Sequence, residues 1–390
     1  MRRTVTSPLL LVVVALAGAC STSTLLPPDR GCTLVSDGFG PAGTTPLDVE
    51  VVVSGLRVPW SLAFVDDDRF LVTERGGTLR VVESGVLREE PLVDVADVWA
   101  VAEAGLLGVA LHPSFATNGF AYLYATLDEG NGPVNRILRY TIASDLSSAT
   151  LDRVVLDDVP AFRVHDGGRM RFGPDGLLYV GTGDARSPDD SQNESSLAGK
   201  ILRLTDEGEA APDNPWGGAA FIKGLRNAQG IAFLDEETLV VTDHGPSGEV
   251  MGRTGHDEVN VAGAGADLGW PDRYACEEQE GRTAPILTST TAMPPGGVAV
   301  VDEASFAPWA GDVVTGTLGS KHLHRIVLDD ERAVAEHETY LLGDAPDGMG
   351  RLRDVVNGPD GLYVTTSNCD GRGTCPPDTL DVVFRVRPGT

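Results

Sequence analysis

The 390-residue sequence predicts an all-β fold, a six-bladed β-propeller. Six segments share one pattern, which is an apolar strand, a turn and a second strand, followed later by a trailing strand. The pattern recurs roughly every 45 to 70 residues, a period typical of propeller repeats. Strands of alternating polarity, turns rich in Gly, Asp and Pro, and no long helical pattern favour a propeller over a solenoid.

The strand pairs follow one another along the whole chain. They read SLAFVDDDRFLVTE, VALHPSFATNGFAYLYAT, MRFGPDGLLYVGTGD, IAFLDEETLVVTDHG, VAVVDEASFAPWAGDVVTG and VVNGPDGLYVTTS. The trailing strands read TLRVV, ILRYTI, KILRLT, DEVNVA, LHRIVL and VFRVR. The twice-used phrase GPDGL is a hairpin turn, because Pro and Asp set the corner and Gly accepts positive φ. The early strand LDVEVVVSGL is predicted to complete the last blade, so that 48–388 forms one propeller domain.

The N-terminal residues are predicted to form an export signal. Arg2 and Arg3 precede the apolar run PLLLVVVALAGA and Cys20, which is the order of a secretory signal peptide. We expect residues 1–19 to be removed and Cys20 to be lipidated, with ordinary cleavage before Cys20 as the alternative. Residues 20–47 are predicted to be a tether, STSTLLPPDRG, followed by an N-terminal segment. The protein would then lie outside the cytoplasm and contact the membrane only through an N-terminal lipid.

Four cysteines remain once the signal is removed, an even number for an oxidising compartment. Cys369 and Cys375 bracket a short loop and are predicted to pair. Cys32 would then pair with Cys276 by exclusion, although four cysteines allow three connectivities. The formal net charge of −27 argues against nucleic acid as a partner, because such a field repels phosphate backbones.

Chemically unlike residues stand at equivalent places, just before the first strand of several repeats. They are Glu103, His165, Arg226 with Asn227, and Arg351 with Arg353 following. A turn His or Arg taken alone is most often a surface group. Equivalent positions of propeller blades lie at one height, so these side chains are expected to converge at one mouth of the channel. Asp184 follows the second strand of the His165 repeat and could orient the imidazole.

A second group of candidates lies between Asp243 and Pro271. Here Asp257 and Glu258 are flanked by the backbone kinks Gly245-Pro246 and Gly269-Trp270-Pro271. Paired carboxylates with turned-out carbonyl oxygens suit Ca²⁺. A solvated acidic turn is the alternative.

These phrases together resemble the glucose/sorbosone dehydrogenase family, whose members are six-bladed propellers that oxidise sugars with pyrroloquinoline quinone (PQQ) and calcium. The phrases that carry the resemblance occur in the family's order: VPWSLAF with LVTERGGTLRV, EAGLLGVALHPSF, HDGGRMRFGPDGLLYVGTGD, GKILRL with DNPW, GLRNAQGIAF, DHGP with DEVN and LGWP, and RLRDVVNGPDGLYV. They cover nearly all of the chain after the signal.

The resemblance implies a role for each matched residue. His165 matches the catalytic base and Asp184 its carboxylate partner. The residues implied at the cofactor are Arg226 and Asn227 at the reactive carbonyl of the quinone, Arg351 and Arg353 as cofactor-holding arginines, and Glu103 as a polar neighbour. The implied calcium ligands are Asp257, Glu258 and the carbonyls of Gly245, Pro246 and Leu268.

The sequence departs from the family pattern in two places. Where the family has a lysine facing the quinone, this chain reads TLGSKHLHRI, with Gly319 in that place and Lys321 displaced by two residues. We expect Lys321 to compensate only in part. The family's aromatic residues ahead of the fifth blade are absent from STTAMPPGGVAV.

The sequence therefore predicts PQQ-dependent oxidation of aldose sugars at C1, with electrons passed on to an external acceptor. No GxGxxG fingerprint opens a helix after a strand, which argues against NAD. Two other functions stay open: a non-catalytic propeller that binds a glycan or a protein at the same mouth, and a lactonase-like hydrolase.

Overall fold

Six sheets of mainly antiparallel strands form a ring in the computed structural model, which describes residues 31–390. The strands are β1 Thr33–Val35, β2 Leu47–Leu56, β3 Pro59–Phe64, β4 Arg69–Glu74, β5 Thr78–Glu83, β6 Val86–Leu87, β7 Val93–Asp94, β8 Leu106–Leu111, β9 Phe120–Leu127, β10 Val134–Ile142, β11 Ala149–Pro160, β12 Gly167–Phe172, β13 Leu178–Thr182, β14 Lys200–Leu204, β15 Ala220–Lys223, β16 Ala228–Phe233, β17 Thr238–Asp243, β18 Glu258–Gly263, β19 Leu287–Ser289, β20 Pro295–Val300, β21 Val313–Thr317, β22 Leu323–Leu328, β23 Val334–Tyr340, β24 Leu352–Gly358, β25 Gly361–Thr366 and β26 Asp381–Pro388.

The blades follow one another in chain order. Blade 1 contains β3 to β7, blade 2 β8 to β11, blade 3 β12 to β15, blade 4 β16 to β19, blade 5 β20 to β23, and blade 6 β24 to β26. The innermost strands β3, β8, β12, β16, β20 and β24 each contact the next, and β24 contacts β3. The predicted six-bladed β-propeller is confirmed.

Both ends of the chain build the last blade. Strand β2 pairs antiparallel with β26, with Val49 opposite Val386, so blade 6 closes the ring as the strand pattern predicted. Strand β1 pairs parallel with β19 in blade 4, and Ala42 bridges Thr339 in blade 5. The N-terminal segment after Gly31 is thus bound to the blades, and a three-residue strand is too short for its pattern to have shown where it pairs. The predicted signal peptide and Cys20 lie outside the described residues.

The apolar core lies between neighbouring blades. Between blades 1 and 2, for example, Leu71 and Val81 pack against Leu106 and Leu123, all fully buried. Each blade has helical content of at most a few residues, such as Phe115–Asn118, Pro188–Ser191 and Glu303–Phe306 with Ala307–Trp309. Within residues 31–390 there is no helix with the length and apolar character that crossing a membrane requires.

One buried ion pair fills the channel among the inner strands. The guanidinium of Arg169 on β12 lies 2.7 Å from the carboxylate of Asp354 on β24, and neither side chain is exposed. Arg169 also donates to Ser61 Oγ at 3.0 Å and to the carbonyl of Gln229 at 2.9 Å. On blade 5, a Cβ at Gly297 would stand 2.0 Å from the Asp354 carboxylate. Side chains or backbone of five blades therefore meet at this pair.

The structure contains both disulfides, Cys32–Cys276 and Cys369–Cys375. They close chain segments with sequence separations of 244 and 6 residues. In the loop-entropy account, a cross-link constrains the unfolded chain more as the loop becomes longer.

We therefore expect the Cys32→Ser/Cys276→Ser variant to lose roughly 4–5 kcal/mol of unfolding free energy, and the Cys369→Ser/Cys375→Ser variant only about 2 kcal/mol. Guanidinium denaturation of both variants under identical conditions measures the difference. Equal losses would show that strain or residual structure, rather than loop length, sets the contribution of these bridges.

Candidate active site at the channel mouth

His165 and Asp184 form a buried pair beside the channel. His165 stands just before β12 at φ 65°, a conformation that non-glycine residues seldom adopt. Its Nδ1 lies 2.7 Å from Asp184 Oδ1. Because a carboxylate only accepts, the proton of the neutral imidazole is on Nδ1, and Nε2 carries the free lone pair.

Two further donors hold the Asp184 carboxylate in place. The indole Nε1 of Trp270 donates to Oδ2 at 2.9 Å, and the backbone N–H of Arg186 donates to Oδ1 at 2.8 Å. The turn before Asp184 must be tight, since a Cβ at Gly183 would stand 1.9 Å from the His165 carbonyl oxygen. The carboxylate, with no exposed surface, fixes the tautomer and the orientation of the imidazole.

Glu103 joins blades 2, 3 and 4 at the mouth. Its Oε2 accepts from the backbone N–H of His165 at 3.1 Å and from Asn227 Nδ2 at 3.3 Å, while Oε1 accepts from Arg372 at 2.9 Å. Burial by itself would raise the pKa of the Glu103 carboxyl, but the charges of His244 and Arg372 and the N–H of His165 outweigh it, so that this pKa lies below its ordinary value. Glu103 is therefore ionised, and its carboxylate fixes the positions of the His165 backbone and the Asn227 side chain relative to each other.

Asp243 at the end of β17 shapes the segment that carries Arg226 and Asn227. Its two carboxylate oxygens accept the backbone N–H groups of Arg226 at 2.8 Å and of Asn227 at 2.6 Å. Burial raises the pKa of Asp243 to about 7, although the two N–H groups oppose that rise. The guanidinium of Arg226 pairs with Glu249 through Nε, and both side chains are buried.

Besides Arg226 and Arg372, three further arginines lie in this region, and two of the three lack a carboxylate partner within residues 31–390. Arg351 is the paired one and lies 2.8 Å from Asp370. Arg353 donates to Gln229 Oε1 at 2.8 Å, but its buried Nε has no hydrogen-bond partner in that part of the chain. Burial lowers the pKa of Arg353 to about 9, and the charge of Arg351 acts in the same direction.

Arg75 is the third of these arginines. It is half-buried close to Asp370 and Arg372, and burial lowers its pKa as well. Buried cations of like charge are unfavourable unless an anion joins them. The arrangement therefore fits a ligand with several carboxylates, and PQQ has three.

Lys321 forms an ion pair with an acid of the loop after β23. Its ammonium lies 2.6 Å from the carboxylate of Asp344, and both side chains are partly exposed. The structure thus pairs the displaced lysine with a surface acid.

Three of the five implied calcium ligands are occupied by hydrogen-bond donors of the protein. Asp257 accepts the backbone N–H groups of Gly245 at 2.9 Å and of Met293 at 2.7 Å. Glu258 and the carbonyl of Leu268 both contact a guanidinium instead. No group of three or more His, Cys, Asp or Glu residues in the described part of the chain could hold a metal ion. Of the five implied calcium ligands, the carbonyl oxygens of Gly245 and Pro246 are the two that accept no hydrogen bond from residues 31–390.

Sequence reasoning missed several residues of the site. Trp270 and Asp243 lie inside the phrases LGWP and DHGP, so the phrases contained them but did not show what they contact. Glu249 and Asp370 lie in loops without a repeat pattern. Arg75 follows the second strand of blade 1 and could have been found from the same alignment of repeats that placed Asp184.

Comparisons with known proteins agree with this architecture. A family model described as Glucose / Sorbosone dehydrogenase matches residues 56–375. The aldose sugar dehydrogenase YliI of Escherichia coli K12 is 32% identical over 355 residues, which cover 85% of this chain and 92% of that protein. A solved structure from Thermus thermophilus, described as an oxidoreductase (glucose dehydrogenase), has 41% identity and a TM-score of 0.78, and covers 87% of this chain and 100% of its own. The PQQ-bound aldose sugar dehydrogenase of Streptomyces coelicolor has 33% identity and a TM-score of 0.76, covering 88% and 100%.

The acid next to His165 gives a test of the electrostatics of the site. Asp166 Oδ1 accepts from Asn135 at 3.2 Å and from the N–H of Phe162 at 3.0 Å, whereas Oδ2 is buried without a partner among residues 31–390. Burial raises the pKa of Asp166 from 3.8 to about 7. The folded state thus holds this proton more tightly than the unfolded state does, and stability is lost as pH rises from about 4 to 7.

We expect Asp166→Asn to remove this loss. The unfolding free energy of the variant minus that of the wild type should increase between pH 4 and 7 and level off above pH 7, as followed by urea denaturation at several pH values. A difference that stays constant across this range would show that Asp166 titrates normally.

Proposed function

The chain belongs to the glucose/sorbosone dehydrogenase family, and on that premise we propose that it oxidises aldose sugars at C1 to lactones with PQQ as cofactor. The substrate class is that of the E. coli relative, and the cofactor is the one bound in the Streptomyces coelicolor structure. The observation that carries the proposal is the buried His165–Asp184 pair, which leaves Nε2 of the imidazole free at the mouth.

His165 is proposed as the general base that accepts the proton of the C1 hydroxyl. Oxidation of an aldose at C1 removes a proton from the C1 hydroxyl and a hydride from C1. His165 Nε2 takes the hydroxyl proton as a general base, and the imidazolium that forms is stabilised by the Asp184 carboxylate on the other ring nitrogen. Trp270 and the N–H of Arg186 keep that carboxylate aimed at Nδ1. When bound, PQQ supplies the two-electron acceptor for the hydride.

The arginines of the mouth are suited to hold the cofactor. Arg353 and Arg75 would contact its carboxylates, because each is a buried or half-buried cation without a carboxylate of its own among the described residues. Arg226 and Asn227 are proposed at the reactive carbonyl, with Arg351 and Glu103 beside the cofactor. For Ca²⁺, the carbonyl oxygens of Gly245 and Pro246 are the donors that remain.

We also propose that electrons leave through an external acceptor and that the chain acts outside the cytoplasm. Both proposals rest on the sequence: the first on the resemblance, the second on the predicted export signal before Cys20.

For the base, we expect His165→Gln to lower kcat by about 10²–10⁴, the usual contribution of a general base, while PQQ affinity stays within a few fold. Steady-state dye reduction with aldoses measures the first and PQQ titration the second. Asp184→Asn is the companion variant and should lower kcat less, since the base is misoriented but still present. Aldose oxidation by His165→Gln at the wild-type rate would remove His165 from the mechanism.

For the cofactor, we expect Arg353→Met to weaken PQQ binding roughly 30- to 100-fold, as loss of a charge-assisted contact in a dry site does. Lys321→Met, the same substitution at a surface pair, should leave the affinity unchanged. Fluorescence titration of PQQ into the calcium-loaded proteins measures both. A large effect at Lys321 would place the lysine at the cofactor, and a wild type that binds no PQQ would favour the glycan- or protein-binding propeller.

A further inference from the structure

Two of the implied calcium ligands share one guanidinium, that of Arg273. Its Nη2 lies 2.7 Å from Glu258 Oε1 and 2.9 Å from the carbonyl oxygen of Leu268, and its Nε lies 3.1 Å from the same carbonyl. Its Nη1 donates to the carbonyl of Ala275. The Arg273 side chain is 1% exposed, so this is an interior contact rather than a surface ion pair.

The other oxygens of the implied set are also engaged. Glu258 Oε2 accepts from Asn260 Nδ2 at 3.3 Å. Asp257 accepts the N–H groups of Gly245 and Met293. The two carboxylates therefore have no hydrogen-bond donor in common, and each is already occupied by its own donors.

A metal ion and this guanidinium would compete for the same oxygens. Ca²⁺ takes six to eight oxygen ligands at about 2.3–2.6 Å. A guanidinium instead fixes several acceptors through a planar fork of N–H donors and stays charged at every physiological pH. We propose that Arg273 is a built-in cation, which does at Glu258 and Leu268 the work that a structural metal ion would do.

The backbone around Arg273 is shaped to receive it. Gly269 has φ 94°, and a Cβ there would stand 2.5 Å from Arg273 Cβ and 2.9 Å from its Nε. Any larger residue at 269 would displace the arginine. The guanidinium thus ties strand β18, the turn from Leu268 and the loop up to Ala275 to one another.

The same turn carries Trp270, whose indole N–H donates to Asp184. Arg273 therefore supports the backbone that orients the His165–Asp184 pair, and it does so without a metal. The contacts of Arg273 are present in the apo-protein and do not depend on the proposed activity.

The decisive comparison is between the wild type and Glu258→Gln, both as apo-proteins. Thermal unfolding is followed in chelator and in excess Ca²⁺. We expect any calcium-dependent shift in Tm, including one from the Gly245 and Pro246 carbonyls, to be the same in both proteins. A calcium-dependent stabilisation of the wild type that Glu258→Gln abolishes would overturn the proposal, because it would place a metal ion on the Glu258 carboxylate.

Two substitutions of the arginine test the cation itself, with chelator present throughout. Arg273→Ser should lower Tm by roughly 5–10 °C, because it leaves the partly buried Glu258 carboxylate without its cation and the Leu268 carbonyl without its donors. Arg273→Lys keeps the charge and should lose less than half as much. A serine variant as stable as the wild type in chelator would overturn the proposal. If the serine variant does not fold, the lysine variant and the Glu258 comparison still decide it.

Discussion

The buried pair of Arg169 and Asp354 is the interaction on which the rest of the structure depends. A propeller has an axial channel that its own strands do not fill, and here a guanidinium and a carboxylate occupy it together with backbone from neighbouring blades. Removing one partner of such a pair leaves an uncompensated buried charge, which is far worse than losing a surface ion pair. The small residues opposite, such as Gly297, are explained by the same pair, since any side chain there would meet the carboxylate.

The ring of blades sets the geometry of the candidate active site. His165 and Glu103 stand where the chain enters an inner strand, and hydrogen bonds between blades then hold them. Glu103 of blade 2 receives the N–H of His165 from blade 3 and the amide of Asn227 from blade 4. Because the contacts cross blade boundaries, no blade could form the site alone. The positive φ of His165 is a local strain that such surrounding contacts sustain.

Most buried arginines of the site are paired with nearby carboxylates, although the chain as a whole has a formal net charge of −27. Arg226 and Arg351 are each matched with a buried carboxylate, Glu249 and Asp370, and contribute geometry more than net field. Arg353 has no carboxylate partner within residues 31–390. Its pKa is lowered because burial and the nearby charge of Arg351 both disfavour the cation. A protein that repels anions as a whole thus keeps one small region that attracts them. Arg273 is another buried arginine with a carboxylate partner, and its guanidinium lies between Glu258 and the carbonyl of Leu268.

The sequence by itself determined the propeller, because the alternation of apolar residues and the recurring turns depend only on local rules that repeat six times. It also placed His165, Asp184, Glu103 and Asn227 in one region, since equivalent positions in repeats have equivalent heights. Tertiary structure alone decided which partners those residues have. Neither the pairing of Arg226 with Glu249 nor the seating of Arg273 on Glu258 has a periodic signal, because both join a strand or its entry to an irregular loop. The adjacent residues Asp257 and Glu258 suggested a shared metal ion, and only the tertiary structure shows that each carboxylate binds different donors.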